Sequence, residues 1–258
     1  MVDSFNLFRG ERALVTGSAS NIGRAIAEAL AREGAELLLA DVDPVRNRET
    51  AATIRAAGGV AEELTVDLAQ RDGWHGLINA IGDRPVHMLV HSASPPRKEA
   101  DHLSEVSEET FDAMLGVNVR SGFLLARELG KRMQSAGIRG RMLFVTSLHA
   151  ETPRNLPHYS ASKAGQTMLV KELARAFGPA GIRVNGIAPG AVVGGGFNAS
   201  AFSFNDKIPL GRPGRADDLT GPAVALLADR FCGYVTGTTL VVDGGLATFN
   251  WIPPAAQE

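Results

Sequence analysis

Near the start of the chain, Arg12-Ala-Leu-Val-Thr16 is a short, mostly apolar strand that runs directly into Gly17-Ser-Ala-Ser-Asn-Ile-Gly23. Arg24 to Arg32 follows with Ile26, Ala27 and Leu30 at helical spacing. Strand, glycine turn and helix in that order restrict the fold sharply. A turn of small residues lets backbone N–H groups approach an anion, and the positive end of the following helix favours negative charge there. An ordinary βα turn can share this pattern. Its place at the head of a βαβ unit favours dinucleotide binding.

The alternation continues. Glu36 to Ala40 reads as a second strand, and it ends at Asp41, 18 residues beyond Gly23. A carboxylate near this offset accepts hydrogen bonds from an adenosine ribose and repels a 2′-phosphate. Asp43 is the expected cap of a helix that starts with Pro44, and Arg46 and Arg48 are expected on its solvent side. Val60 to Val66 makes a third strand ending in Asp67-Leu68, and Val86 to His91 a fourth ending in Ser92-Ala-Ser-Pro-Pro. Between them Arg71 to Ile81 suits a helix with Trp74, Leu77 and Ile78 inward. From Ser107, a plausible cap, helical spacing runs through Phe111, Leu115, Phe123, Leu124 and Leu129 to about Met133. Asn118 sits within that run, where asparagine costs helix propensity and is either exposed or has a polar task.

Met142 to Val145 is an apolar run suited to a buried strand, and Ser147 follows it. Twelve residues on comes Tyr159, with Lys163 four residues further. If Pro157 to Phe177 is helical, phenol and ammonium share one face, about one turn apart. A cation beside a phenol favours phenolate, which suits proton transfer. The pair alone is weak, since it could equally be an exposed helical contact.

Beyond it, Gly181 to Gly190 reads as a strand closing in Pro189-Gly190, and Val193-Gly-Gly-Gly-Phe197 as a lid or a plain surface loop. Ala216 to Leu227 resumes a helix, Thr238 to Val242 gives the last strand, and the tail Phe249-Asn-Trp-Ile-Pro-Pro is apolar enough to pack on another subunit or roof the site.

Composition excludes several functions. With 258 residues, 21% charged and a net charge of −2, the chain suits one large α/β domain and has no basic run to track a phosphate backbone. Nucleic acid is not an expected partner. One cysteine, Cys232, rules out an intrachain disulfide and a multi-cysteine metal site, and the six histidines are scattered, so no metal is expected. The first residues lack a basic leader and no run approaches membrane-spanning length, so a cytoplasmic protein without a membrane partner is expected.

Taken together, these residues resemble the short-chain dehydrogenase/reductase family along essentially the whole chain. Thr16-Gly17-x-x-x-x-Ile-Gly23 is similar to its cofactor loop. Asn118, Ser147, Tyr159 and Lys163 match its catalytic tetrad in order, and Pro189-Gly190 and Val242-Asp-Gly-Gly245 match later signatures. The resemblance implies a doubly wound, seven-stranded parallel sheet of Rossmann type, one domain over residues 1–258, usually in a homotetramer. An interface is expected on the helices at 111–133 and 157–177. It implies Tyr159 as acid/base, Lys163 lowering its pKa and binding the nicotinamide ribose, Ser147 orienting the substrate oxygen, and Asn118 anchoring a proton-relay water. Gly17, Ser20, Asn21, Ile22, Gly23, Asp41, Asp67, Leu68, Ser92, Ala93, Pro189, Gly190 and Val192 are the further residues expected around the cofactor.

Three departures from the family pattern stand out. Asn21 replaces a glycine, which asparagine's tolerance of left-handed backbone accommodates. His91-Ser-Ala-Ser94 stands where Asn-Asn-Ala-Gly is common, with altered contacts beneath the adenosine ribose as the expectation. Gly194 stands where a threonine commonly holds the carboxamide.

The reading is an NAD-dependent oxidoreductase that interconverts a secondary alcohol and a ketone on a small molecule, a sugar, polyol or hydroxy acid. The alternatives are an NADP-dependent carbonyl or 3-oxoacyl reductase, and an NAD-binding sensor or scaffold without turnover, which the intact tetrad disfavours. His149, His158, Arg154 and Phe197 are candidate lining groups for a polar substrate.

Overall fold

The computed structural model describes residues 5–97, 102–194 and 207–248. Seven strands, β1 (Arg12–Thr16), β2 (Glu36–Asp41), β3 (Val60–Thr65), β4 (Met88–His91), β5 (Arg141–Val145), β6 (Arg183–Pro189) and β7 (Thr239–Val242), form one sheet in the order β3-β2-β1-β4-β5-β6-β7. Every pairing is parallel. Parallel neighbours need crossovers, supplied by α1 (Asn21–Arg32), α2 (Pro44–Ala56), α3 (Gly73–Ile81), α4 (Glu108–Leu115) with α5 (Gly122–Ser135), α6 (Pro157–Phe177), and α7 (Thr220–Leu227) with the four-residue α8 (Asp229–Cys232).

Alternate residues of each strand point to opposite faces and build two cores. Ala13, Val15, Leu37, Leu39, Val90, Leu143 and Ile187 pack with Ile26 and Leu30 of α1 and Leu226 of α7. Leu14, Leu38, Leu89, Met142, Phe144 and Val184 pack with Leu77 of α3, Leu125 and Leu129 of α5, and Val170 and Leu173 of α6. Burial on both faces explains why the inner strands read as unbroken apolar runs.

The strand order reverses direction at β1, which pairs with β2 on one side and β4 on the other, so that Thr16 lies level with both Ala40 and His91. Ligands of doubly wound sheets bind at the carboxyl ends of the strands beside such a switch. Gly17, Asp41, Ser92, Ser147 and Gly190 lie at or just beyond the carboxyl ends of β1, β2, β4, β5 and β6 on that edge.

Most expected boundaries agree. Asp43 caps α2 as expected, accepting from the N–H groups of Val45 and Arg46, and Ser107 caps α4 through Thr110 N–H. Several elements differ, among them the helix expected over Arg71 to Ile81, which starts at Gly73, the strand expected over Gly181 to Gly190, which spans Arg183–Pro189, and the helix expected from Ala216, whose first four residues are a 3₁₀ turn. The first helix begins at Asn21, so the end of the glycine turn is already its first turn. The fourth strand begins at Met88 rather than Val86. The run from Ser107 to Met133 is interrupted: Gly116–Ser121 is a π-helical segment between α4 and α5, and Asn118 sits inside it. A widened turn of this kind redirects the carbonyls and side chains it contains. Residues 195–206 and the tail from 249 lie outside the described residues, and with them Phe197 and most of the expected lid.

Candidate active site

The glycine turn is shaped by close backbone contact. Gly17 has φ +71, and a Cβ there would lie 2.7 Å from Ala93 N. A Cβ on Gly23 would lie 2.0 Å from Gly17 O. Asn21 carries the left-handed backbone, with φ +47, that its side chain was expected to tolerate. Ser20 precedes α1 in an extended conformation, makes no side-chain cap hydrogen bond, and the first turn holds no acidic residue. This helix start therefore offers its positive end to an anion, and the tight glycine cradle beside Ser92 and Ala93 fits the pyrophosphate of a dinucleotide.

Helix α2 holds the turn from below. Ser18 Oγ donates to Asn47 Oδ1 at 2.8 Å, Asn47 Nδ2 donates to Leu39 O at 2.8 Å, and Thr50 Oγ1 donates to Ser18 O at 3.1 Å. Asn47 and Thr50, both buried, were not anticipated as site residues. The available signal was their spacing, which puts them with Ala51 and Ile54 on the buried face of α2. Asp41 ends β2 beside the turn, its carboxylate accepting from Ala19 N at 2.9 Å and Asp43 N at 3.0 Å. Arg46 and Arg48 are exposed, as expected. Asp67 bends back on its own turn, accepting from Ala69 N and Gln70 Nε2, and Leu68 is buried in the core. Pro189 ends β6, and a Cβ on Gly190 would lie 2.5 Å from Asp243 Cβ. Val192 packs on the first core, next to the bridge it forms with Gly214.

His91 is turned into the interior between Thr16 and Val117. It is fully buried, with Nε2 donating to Val117 O at 3.1 Å and Nδ1 accepting from Thr16 Oγ1 at 3.0 Å, a tautomer fixed by the carbonyl's being an acceptor only. Burial, reinforced by the charge of Lys163, lowers its pKa to about 4, so the ring is neutral at physiological pH. It packs so closely on the helix that a Cβ at Gly122 would lie 2.8 Å from its ring. Gly194, with φ +106, lies against Asn21: a Cβ there would be 3.1 Å from the Asn21 carboxamide.

The catalytic side begins at the carboxyl end of β5. Ser147, buried, accepts from His149 N at 3.1 Å. Tyr159, Ser162, Lys163 and Gln166 lie on the buried face of α6, at the i, i+3, i+4, i+7 spacing of one helical stripe. Lys163 Nζ is 5.6 Å from the Tyr159 ring centroid, and donates to Val145 O at 2.8 Å and to Gln166 Oε1 at 2.9 Å. Burial, and secondarily the charge of Arg97, lowers the Lys163 pKa to about 7. Asn118 Nδ2 donates to Ser162 Oγ at 2.8 Å, its Oδ1 is buried without a protein partner, and its carbonyl accepts from Gln166 Nε2 at 2.9 Å. Gln166, also unanticipated, thus joins Lys163 to Asn118.

His149 stacks edge-on to Tyr159 with ring centroids 6.3 Å apart, His158 is fully buried on α6, and Arg154 is partly buried. Among the described residues no cluster of three His, Cys, Asp or Glu could hold a metal ion. No helix of the described residues is long and apolar enough to cross a membrane.

Known proteins supply the context for this arrangement. The family model described as Enoyl-(Acyl carrier protein) reductase matches residues 17–247. Glucose 1-dehydrogenase 2 of Bacillus subtilis is 32% identical over 250 residues, covering 93% of this chain and 96% of that protein. The 2-dehydro-3-deoxy-D-gluconate 5-dehydrogenase of Pseudoalteromonas atlantica is 32% identical, with coverages of 95% and 98%. A crystal structure from Beutenbergia cavernae, described as an NAD(P)-dependent gluconate 5-dehydrogenase with bound NADP, superposes with a TM-score of 0.86 at 34% identity, covering 93% of this chain and 98% of its own. With the sheet order, the glycine cradle and these matches along nearly its full length, the chain belongs to the short-chain dehydrogenase/reductase family and is an NAD(P)-dependent oxidoreductase acting on CH–OH substrates.

Proposed function

We propose that this chain acts as one oxidoreductase domain, prefers NAD, and oxidises or regenerates the secondary alcohol of a polar small molecule such as a sugar, polyol or hydroxy acid. The observation that supports this reading is the buried face of α6, where Tyr159 and Lys163 share one stripe and Lys163 Nζ reaches the carbonyl of Val145 at the end of β5, two residues before Ser147. When bound, the nicotinamide supplies a hydride acceptor or donor. In the oxidising direction the substrate's C–H electron pair leaves as hydride, and the hydroxyl proton passes to Tyr159. Ser147 orients the substrate oxygen, and Lys163 holds the nicotinamide ribose. Asn118 anchors a relay water, for which Oδ1 is the acceptor left over. Around the rest of the cofactor, Gly17, Ser20, Asn21, Ile22 and Gly23 would receive the pyrophosphate, Asp41 the adenosine ribose, Asp67, Leu68, Ser92 and Ala93 the adenosine side, and Pro189, Gly190 and Val192 the nicotinamide side.

The preference for NAD rests on Asp41. Its carboxylate is pinned by two backbone N–H groups at the mouth of the cradle, with no cation in contact among the described residues. A 2′-phosphate there meets like charge and displaces ribose hydrogen bonds, worth on the order of 2–4 kcal/mol, or roughly 30- to 1,000-fold in catalytic efficiency. Rates with NAD and NADP over a panel of sugars, polyols and hydroxy acids, for wild type and Asp41→Ala, test the reading. The substitution should narrow the gap chiefly by improving NADP. Equal use of both cofactors by wild type, or an unmoved gap, argues for an NADP-dependent reductase, and no turnover across the panel argues for a binding protein.

A homotetramer is part of the same proposal. Phe111, Phe123 and Met168 leave apolar surface exposed on α4, α5 and α6, and Leu240 and Val241 do so along the edge strand β7. Light scattering at micromolar concentration should give the mass of four chains, and a monomer would reject it. A cytoplasmic setting is inferred from the lone cysteine.

A further inference from the structure

Arg97, on the segment after β4, places its guanidinium carbon 4.6 Å from the centroid of the Tyr159 ring. It is partly buried, yet among the described residues its guanidinium makes no hydrogen bond or ion pair with protein. Arg127 also lies over a ring, that of Phe123, without a hydrogen bond or ion pair among the described residues, but other covered arginines differ. Arg12, Arg141 and Arg183, whose side chains are also largely covered, are held by Glu36, Glu11 and Asp229 respectively. None of the Arg97 nitrogens is both buried and unpartnered, so these N–H donors, set over a ring face, stay open to a ligand.

Unlike Arg127, Arg97 lies against the proposed reaction centre. Lys163 lies against the same phenol ring, and the two like charges disfavour each other enough that Arg97 contributes to the lowered Lys163 pKa. No carboxylate of the described residues faces either cation. Guanidinium is planar and presents parallel N–H donors that match a carboxylate at two points, which a hydroxyl cannot reproduce.

We propose that Arg97 receives a carboxylate on the substrate, so that the alcohols this site takes are hydroxy acids rather than neutral polyols. The proposal rests on the oxidoreductase reading above and narrows its substrate class. Binding the acid brings an anion to the Arg97 guanidinium and anchors one end of the substrate while its hydroxyl lies at Ser147 and Tyr159.

The test uses pairs that differ only in carboxylate against CH2OH: gluconate with glucitol, and 3-hydroxybutanoate with 1,3-butanediol. Calorimetric titration of the full-length enzyme saturated with NADH reads binding without turnover. Wild type should bind at least one acid about tenfold or more tightly than its neutral partner. Arg97→Gln should bring that ratio to within about threefold, and Arg97→Lys should keep part of it, as expected for a charge-assisted pair. No preference for the acid in either pair, or a preference that survives Arg97→Gln, overturns the proposal, as does a loss shared equally by both members. Cofactor absorbance with the same compounds separates the two levels. Turnover of the neutral members without dependence on Arg97 removes this proposal and keeps the oxidoreductase. An Arg97-dependent preference with no turnover of any member keeps the carboxylate site and removes the oxidoreductase reading.

Discussion

The glycine cradle follows β1 and helix α6 follows β5 on the same edge of the sheet, but they are built by opposite means. The cradle depends on what is missing: at Gly17 and Gly23 any Cβ meets backbone at 2.7 Å or less, and nothing at its rim carries charge except Asp41. The helix α6 depends on what is present, four polar side chains buried along one stripe, of which Ser162, Lys163 and Gln166 are held by named hydrogen-bond partners. One region is therefore sensitive to added volume and tolerant of chemistry, and the other is the reverse. His91 ties them together, accepting from Thr16 at the head of the cradle and donating to Val117 beside Asn118.

The largest effects should come from breaking each region in its own way. Tyr159→Phe keeps shape and removes one oxygen, and should slow turnover by about 10²–10⁴-fold while NADH affinity moves less than about threefold. Gly23→Ala adds one carbon and should do the opposite, weakening NADH by roughly 100-fold, about 3 kcal/mol, because the cradle must open to admit the methyl. Fluorescence titration and single-turnover rates on both variants would decide. If both variants lose binding and rate together, the division between the regions fails.

The tie should show in pH. The His91 pKa falls from 6.5 to about 4 on folding, so below pH 6.5 the unfolded chain takes up the proton first. Stability contributed by the neutral ring is complete above pH 6.5 and declines as pH falls toward 4, by about 3 kcal/mol in all. Denaturant midpoints of wild type and His91→Asn across that range should differ in slope, with the variant flatter. Parallel slopes would mean that the buried ring does not titrate as described.

A smaller effect is expected at Gln166. Gln166→Leu keeps volume and removes hydrogen bonds to the Lys163 ammonium and the Asn118 carbonyl, at a cost of about 1–3 kcal/mol in stability. Thermal melting should register it, together with a rate loss of up to about tenfold if Lys163 drifts. A variant as stable and as fast as wild type would show the bridge to be incidental.

Much of this was legible from residues alone, for identifiable reasons. Helix α6 spans Pro157–Phe177 as expected, because proline suits its first turn and Val170, Leu173, Ala174 and Phe177 keep helical spacing through its second half. The inner strands were readable as apolar runs, and Asp43 as a cap. The π-helical segment at Gly116–Ser121 was not, since one extra residue in a turn barely disturbs an apolar period near 3.6. Asn47 and Gln166 could be placed on buried faces by spacing, but their partners, the Leu39 and Asn118 carbonyls, are set by tertiary packing. Arg97 carried no signal at all. It belongs to the site because the sheet brings β4 beside β5, so that a loop after one meets the helix after the other.

The contact between Asn21 and Gly194 also bears on how this sequence can change. Both positions depart from the family pattern, and both hold positive φ. A threonine at 194 in the present backbone would sit in a conformation that side chains rarely adopt and press on the Asn21 carboxamide. A glycine at 21 alone would remove that obstacle and leave the backbone at 194 unchanged. Neither substitution by itself gives the common arrangement in the present backbone, so the effects of Asn21→Gly and Gly194→Thr are expected to be non-additive.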